Sequence, residues 1–207
     1  EPDQKINVFF IDRTVGQGGF AGSEMAVTYN DRAYAGGNLH ELLVHEAVHV
    51  LDRQFAPQRI KILAEGTAVW ASGGHYKSEN LDQRAAALLQ LGRYIPLSYL
   101  ADTFYITQHE IGYLQAGAFV KYLIDQFGYP TYREFYSDTT ASDAETEARS
   151  LDINLQTYYD ASLAELEAEW LSYLESLPRD ETEIADLETT IRYYEVMRSY
   201  QQQYDPT

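Results

Sequence analysis

His45 and His49 stand four residues apart in the run LHELLVHEAVHVL, which has the apolar spacing of a half-buried helix, and Glu65 stands as the one acidic residue of the string LAEGTAVW. Residues four apart on a helix project from the same face, one above the other, so two imidazoles there converge on one point. An ionised carboxylate in an apolar helix is costly unless a partner compensates it. Any fold this chain adopts therefore has to give Glu65 a counterpart. Arg59 and Lys61, shortly before it, offer one at the helix surface; a metal ion shared with the two imidazoles offers another.

The local signals divide the chain unevenly. Strand character is confined to the start: Lys5 to Ile11 (KINVFFI) and Phe20 to Tyr29 (FAGSEMAVTY) are rich in β-branched and aromatic residues and are separated by the glycine-rich Val15 to Gly19. They read as two strands of a small sheet. After Gly36 and Gly37 the pattern becomes helical, with Asn38 as a cap, Glu41 three residues on as in a capping box, and apolar positions through Leu51. A second helix is predicted over Ile60 to Ala71, stopped by Gly73 and Gly74, a third over Leu81 to Leu91, and a longer one over Ile111 to Phe127, ended by Gly128 with Pro130 beyond. Ser162 and Glu165 form another capping box before SLAELEAEWLSYLESL, and a last helix is predicted from about Asp180 to Tyr204. Trp170 with Leu163, Leu166, Leu171 and Leu174 keeps helical spacing and reads as a packing seam.

Composition excludes several classes. The 207 residues are enough for one packed domain, and 45% hydrophobic with 23% charged residues is that of an ordinary soluble globular protein. Fifteen basic residues against 32 acidic ones give a net charge of −17, which argues against a nucleic-acid partner. Cysteine is absent, so there is no disulfide framework and no thiolate site. No run approaches the roughly 20 apolar residues of a membrane span. The sequence opens at Glu1 without an initiator Met or a signal-like pattern, as a processed chain or an excised piece would.

The chemistry concentrates in His45-Glu46-Ala47-Val48-His49, an HExxH pattern on the first expected helix. Both imidazoles can reach one metal ion, and Glu46, one residue round from His45, can touch a metal-bound water without being a ligand. Zinc lowers the pKa of such a water towards neutrality and the carboxylate takes its proton. A catalytic zinc site has three protein ligands and an open fourth position. The metzincin pattern would place Gly or Asn and then His just after the motif, where this chain has Asp52 and Phe55. A gluzincin takes a Glu from the next helix, and Glu65 stands there.

These strings, HEAVHVLDRQF, LAEGTAVW, YLQAGAFVKYL and SLAELEAEWLSYL, resemble those of the bacterial peptidase-MA-like gluzincins, relatives of the thermolysin and aminopeptidase N groups. The resemblance covers about Phe20 to Leu177, with the HExxH and EGxAxW segments as its specific parts. It implies an α+β, predominantly α-helical, zincin-like fold. Residues 1–75 would form a zinc-binding catalytic subdomain of small N-terminal β-sheet, HExxH helix and Glu-ligand helix. Residues 76–178 would form a C-terminal helical subdomain closing the cleft, and 179–207 a terminal helix outside the resemblance.

The resemblance also implies a zinc-dependent metallopeptidase acting on a peptide or protein substrate, at an extracellular or cell-envelope location. One Zn2+ would be held by His45, His49 and Glu65, with Glu46 as general base. The tyrosine opening YLQAGAFVKYL, Tyr113, is similar in placement to the residue that steadies the oxyanion in aminopeptidase N relatives, although Gln115 and Ala116 replace the lysine and glycine of that segment. His109, four residues earlier, is its competitor for the role. The alternative function is a catalytically silent peptide- or partner-binding module of the same fold.

Other residues carry blander expectations. Among 18 tyrosines most serve packing or the surface, and Tyr193, Tyr194, Tyr200 and Tyr204 are expected to dock the last helix onto the body or a partner. Trp70 is expected to brace the Glu65 helix. His40 and His75 read as structural or exposed, with His75 the better placed to line a cleft. Glu24, on the second expected strand, has the charge to hold a substrate's amino terminus, against the commoner case of a solvent-facing strand residue.

Overall fold

The computed structural model describes residues 5–11, 19–28, 39–75 and 77–204. Three short strands open the described chain: β1 (Val8–Ile11), β2 (Gly19–Ala21) and β3 (Met25–Thr28), in sheet order β1-β3-β2. β1 runs parallel to β3 with Val8 opposite Met25, and β2 runs antiparallel to it with Phe20 opposite Ala26. The single strand expected over Phe20 to Tyr29 is thus a hairpin. Gly22 and Ser23 are turn formers, and Gly22 N donates to Glu24 O at 2.8 Å to close the reversal. Tyr29, Gly36, Gly37 and the proposed cap Asn38 lie outside the described residues.

Helices make up the rest: α1 (Leu39–Asp52), α2 (Lys61–Ser72), α3 (Leu81–Gln90), α4 (Leu97–Thr103) running into a 3-10 turn (Phe104–Ile106), α5 (His109–Phe127), α6 (Tyr129–Asp138), α7 (Glu147–Tyr159), α8 (Leu163–Ser176) and α9 (Glu181–Tyr204). The protein is therefore predominantly helical with a small sheet, the α+β class expected. α2 stops where the glycine pair predicts, with Gly73 at φ 78° and its N–H returned to Trp70 O. The Ser162 and Glu165 capping box is formed in full. Gly128, at φ 84°, ends α5 and begins α6 in one residue, so the proline read as a terminator sits in the first turn of a new helix.

α2 and α5 cross at glycines. A Cβ on Gly66 would stand 2.8 Å from Ala116 O, and one on Gly117 would stand 2.4 Å from Val69 Cγ1. Only bare backbone permits that approach, and it sets Glu65 of α2 beside the first turns of α5. Gln115, buried, fastens α5 to the α3–α4 connection by accepting from Ile95 N at 3.0 Å and donating to Ile95 O.

From Ala56 to Ile191 one continuous apolar core runs through α2 to α9. Trp170 lies at its centre with Leu163, Leu166 and Leu174, whereas Leu171 is half-buried at the seam's edge. α9 joins this core through Ile184, Leu187 and Ile191, and Arg84 of α3 clasps it by ion pairs to Glu183 and Asp186. Tyr193, Tyr200 and Tyr204 are exposed and do not dock α9 onto the body, whose apolar contact with this helix runs through Ile191, whereas Tyr194 is half-buried. No helix among the described residues is long and apolar enough to cross a membrane.

Candidate metal centre

His45 and His49 project from one face of α1 towards Glu65 of α2. The Nε2 atoms of the two imidazoles are 3.2 Å apart, and Glu65 Oε2 is 3.2 Å from each of them. The three atoms form a triangle of equal sides. Among the described residues this is the cluster of His, Asp and Glu side chains able to hold a metal ion. The surface alternative for Glu65 is excluded by the pairing of its rivals: Arg59 meets Asp52 at 3.0 Å, and Lys61 pairs with Glu147 at the start of α7.

The electrostatics follow from this convergence. Burial alone would push the Glu65 carboxyl up, but hydrogen bonds and charge from both imidazoles outweigh it and hold the group well below the usual carboxylate range. It is an anion at any ordinary pH. Burial pushes His45 down more than Glu65 raises it. For His49 burial is outweighed by Glu65, Glu46 and Asp52, and its pKa rises.

Polar tethers orient the histidine helix. Asp52, buried at the last turn of α1, pairs with Arg59 and accepts from the Tyr136 hydroxyl of α6, while Arg59 donates to His49 O at 3.2 Å and Ala56 O at 3.1 Å. Arg53 donates to Ala21 O at 2.9 Å and so fixes β2 to the same helix.

A cleft of about 810 Å³ opens over the triangle, walled on one side by Gly19, Phe20 and Ala21 of β2 and on the other by Tyr105, His109 and Tyr113. Glu46 is buried in its floor, and its Oε1 would lie 2.8 Å from a Cβ on Gly19, so the edge strand rests against the carboxylate. The two residues left as competitors both face the cleft. α5 begins at His109, two residues earlier than expected, which puts His109 and Tyr113 one turn apart on the same side with ring centroids 5.3 Å apart. Tyr113 is also stacked between His45, at 6.2 Å, and His75, at 4.6 Å. His109 is held below its ordinary pKa by burial and by His75 and Arg198 nearby.

Three residues named in the sequence lie outside the cleft lining, His40 and His75 in the structural or exposed roles expected of them. His75 is buried against Tyr113, with Nδ1 3.3 Å from Glu110 Oε1, and supports the cleft wall instead of lining it. Glu24 lies in the β2–β3 turn, outside the strands, and accepts from Asn7 Nδ2 at 2.8 Å; it is not part of the cleft lining. His40 is exposed on α1. Trp70 braces α2 as expected, stacked on Tyr129 of α6 at 5.8 Å.

One site residue escaped the sequence reading. Tyr105, in the 3-10 turn, donates its hydroxyl to Glu65 Oε1 at 2.8 Å across 40 residues of sequence. Burial first, and then the Glu65 charge, raise its phenol pKa, so it stays a donor. Nothing in the local sequence marks it: the turn has no periodicity and Tyr105 is one of 18 tyrosines. Comparison of the chain with protein families, with curated proteins and with solved structures finds no match.

Proposed function

We propose that this chain is a zinc-dependent metallopeptidase of zincin-like fold, gluzincin in its ligand set. The observation that carries the reading is the triangle of side 3.2 Å made by His45 Nε2, His49 Nε2 and Glu65 Oε2. Hydrogen bonds satisfy at most two edges of such a triangle and leave the two ring nitrogens facing each other, whereas a cation satisfies all three corners. Four ligands held tetrahedrally at the usual zinc distances of about 2.0–2.1 Å stand about 3.3 Å from one another, which matches the side. Two imidazoles and one carboxylate are also the donor set that suits zinc with an open fourth position.

Zinc held there would lower the pKa of a bound water and polarise a carbonyl. The chain's residues supply the rest. Glu46 accepts the proton of the attacking water on its carboxylate and passes it to the leaving amine. β2 is an edge strand lining the cleft, so an extended peptide can add to it through main-chain hydrogen bonds that do not depend on its sequence. His109 or Tyr113, on the opposite wall, donates to the oxygen that becomes negative as the carbonyl turns tetrahedral, a contribution of about 3–4 kcal/mol for one donor.

Zinc content and turnover of a mixed peptide library, with and without a chelator, test the reading. Glu46→Gln should keep the metal and slow hydrolysis by about 10²–10⁴-fold. A variant that cleaves as fast as the parent, or a parent without stoichiometric zinc, removes it. Stoichiometric zinc whose chelation unfolds the protein, with no cleavage of any peptide, gives the ion a structural role in a binding module instead.

A further inference from the structure

The two oxygens of Glu65 have different partners. Oε2 is the one that meets both imidazoles, at 3.2 Å each, and Oε1 accepts the Tyr105 hydroxyl at 2.8 Å. Tyr105 is held for this role. Its ring packs edge-on against Phe104 at 5.6 Å, Phe104 is buried in the main core, and Thr107 N closes the turn on Thr103 O at 3.2 Å.

A carboxylate beside a divalent ion can bind through one oxygen or through both. The second mode takes up a coordination position, and in a three-ligand site that position is the one a water or a substrate carbonyl needs. A donor fixed on Oε1 disfavours the second mode, because turning Oε1 towards the ion breaks the hydrogen bond. We propose that Tyr105 is a positioning residue that holds Glu65 to one-oxygen coordination and thereby keeps the reactive position open. This rests on the zinc reading above and assigns Tyr105 a task distinct from oxyanion stabilisation, since its proton is already directed at Oε1. The oxyanion is left to His109 or Tyr113.

The test uses the full chain stripped of metal and refilled with zinc or cobalt(II). Tyr105 is about half exposed, at 51%, so Tyr105→Phe removes a hydroxyl without opening a cavity. The variant's zinc affinity should shift by about 10–100-fold in a chelator competition, since both the hydrogen bond on the carboxylate and its coordination mode change. Its cobalt(II) form should lose the intense visible absorption of four-coordinate cobalt as the coordination number rises. Tyr99→Phe, at an exposed tyrosine of α4, should change neither. An unchanged zinc affinity and cobalt spectrum in Tyr105→Phe overturns the proposal, and if hydrolysis still falls, Tyr105 is an oxyanion donor. A parent chain that takes up no zinc sinks the metallopeptidase reading itself, and that result is seen before any Tyr105 variant is made.

Discussion

The two helices that carry the candidate ligands are held in opposite ways. In α2 the buried residues form an unbroken stretch, Ile62 to Val69, and all but Glu65, Gly66 and Thr67 are aliphatic. In α1 the buried residues are Glu41, Leu42, Glu46, Val50 and Asp52, so charged side chains outnumber apolar ones. Apolar burial is non-directional and adds with area, and it fixes α2 against α5 through the glycine crossing. Polar tethers are directional and each adds little, and they fix α1 through Asp52, Arg59 and Arg53. The centre is therefore assembled from a rigid half that bears Glu65 and a tethered half that bears the histidines. A bound cation would be a further tether on the second half.

The comparison is broken most directly by removing apolar packing from α2. Leu63 is fully buried, and Leu63→Ala should cost about 2–5 kcal/mol, read as a shift of the whole urea transition with no early phase. If α2 melted ahead of the rest, its packing would not be what holds the body together.

Asp52→Asn probes the other half. It leaves the Arg59 guanidinium, whose side chain is 10% exposed, without its counter-charge. Burial raises the Asp52 carboxyl pKa against the opposing pull of Tyr136 and Arg59, so the native anion is itself incompletely compensated and the loss is smaller than for an ideal buried pair. About 1–2 kcal/mol is expected, felt locally. Amide exchange should quicken in the last turn of α1 and stay slow in α2. Equal acceleration in both helices would show that the tethers and the packing form one unit.

The same division governs what the sequence reveals. α1 and α2 are legible because periodicity and the histidine spacing act within one helix, and Glu65 is legible because a charge in an apolar run has to be explained. The break between β2 and β3 is written in Gly22 and Ser23, but the apolar residues on either side hide a turn of three residues inside one apparent strand. α6 is masked because Pro130 marks the end of one helix and the start of the next. Tyr105 is invisible for a different reason, since it sits in a turn without periodicity and acts on Glu65 of another helix, and the contact of His75 with Tyr113 depends on α5 crossing α2, which rests on Gly66 and Gly117, residues whose importance is the absence of a side chain. Local rules read what a residue does to its own segment, and these act on another.

Asp186 supplies the smallest effect and separates a buried tether from an exposed one. It accepts from Arg84 and, at 3.2 Å, from Lys77, and its side chain is 48% exposed. Burial pushes its carboxyl up, the hydrogen bonds and charges of Arg84 and Lys77 outweigh that, and the folded pKa lies below the ordinary value. A depressed carboxyl contributes stability above its unfolded pKa of about 3.9 and loses it as pH falls through the folded value. Exposure to solvent screens the pair, so Asp186→Asn should cost no more than about 0.5–1 kcal/mol at neutral pH. Urea unfolding at pH 7 and at successively lower pH should show the difference between parent and variant shrinking as the native carboxyl gains its proton. Added salt at pH 7 should shrink it as well, because the pair sits at the surface. A difference as large at low pH as at neutral pH would mean that Asp186 holds α9 by shape and not by charge, and that the contrast between packed and tethered helices does not extend to the C-terminal helix.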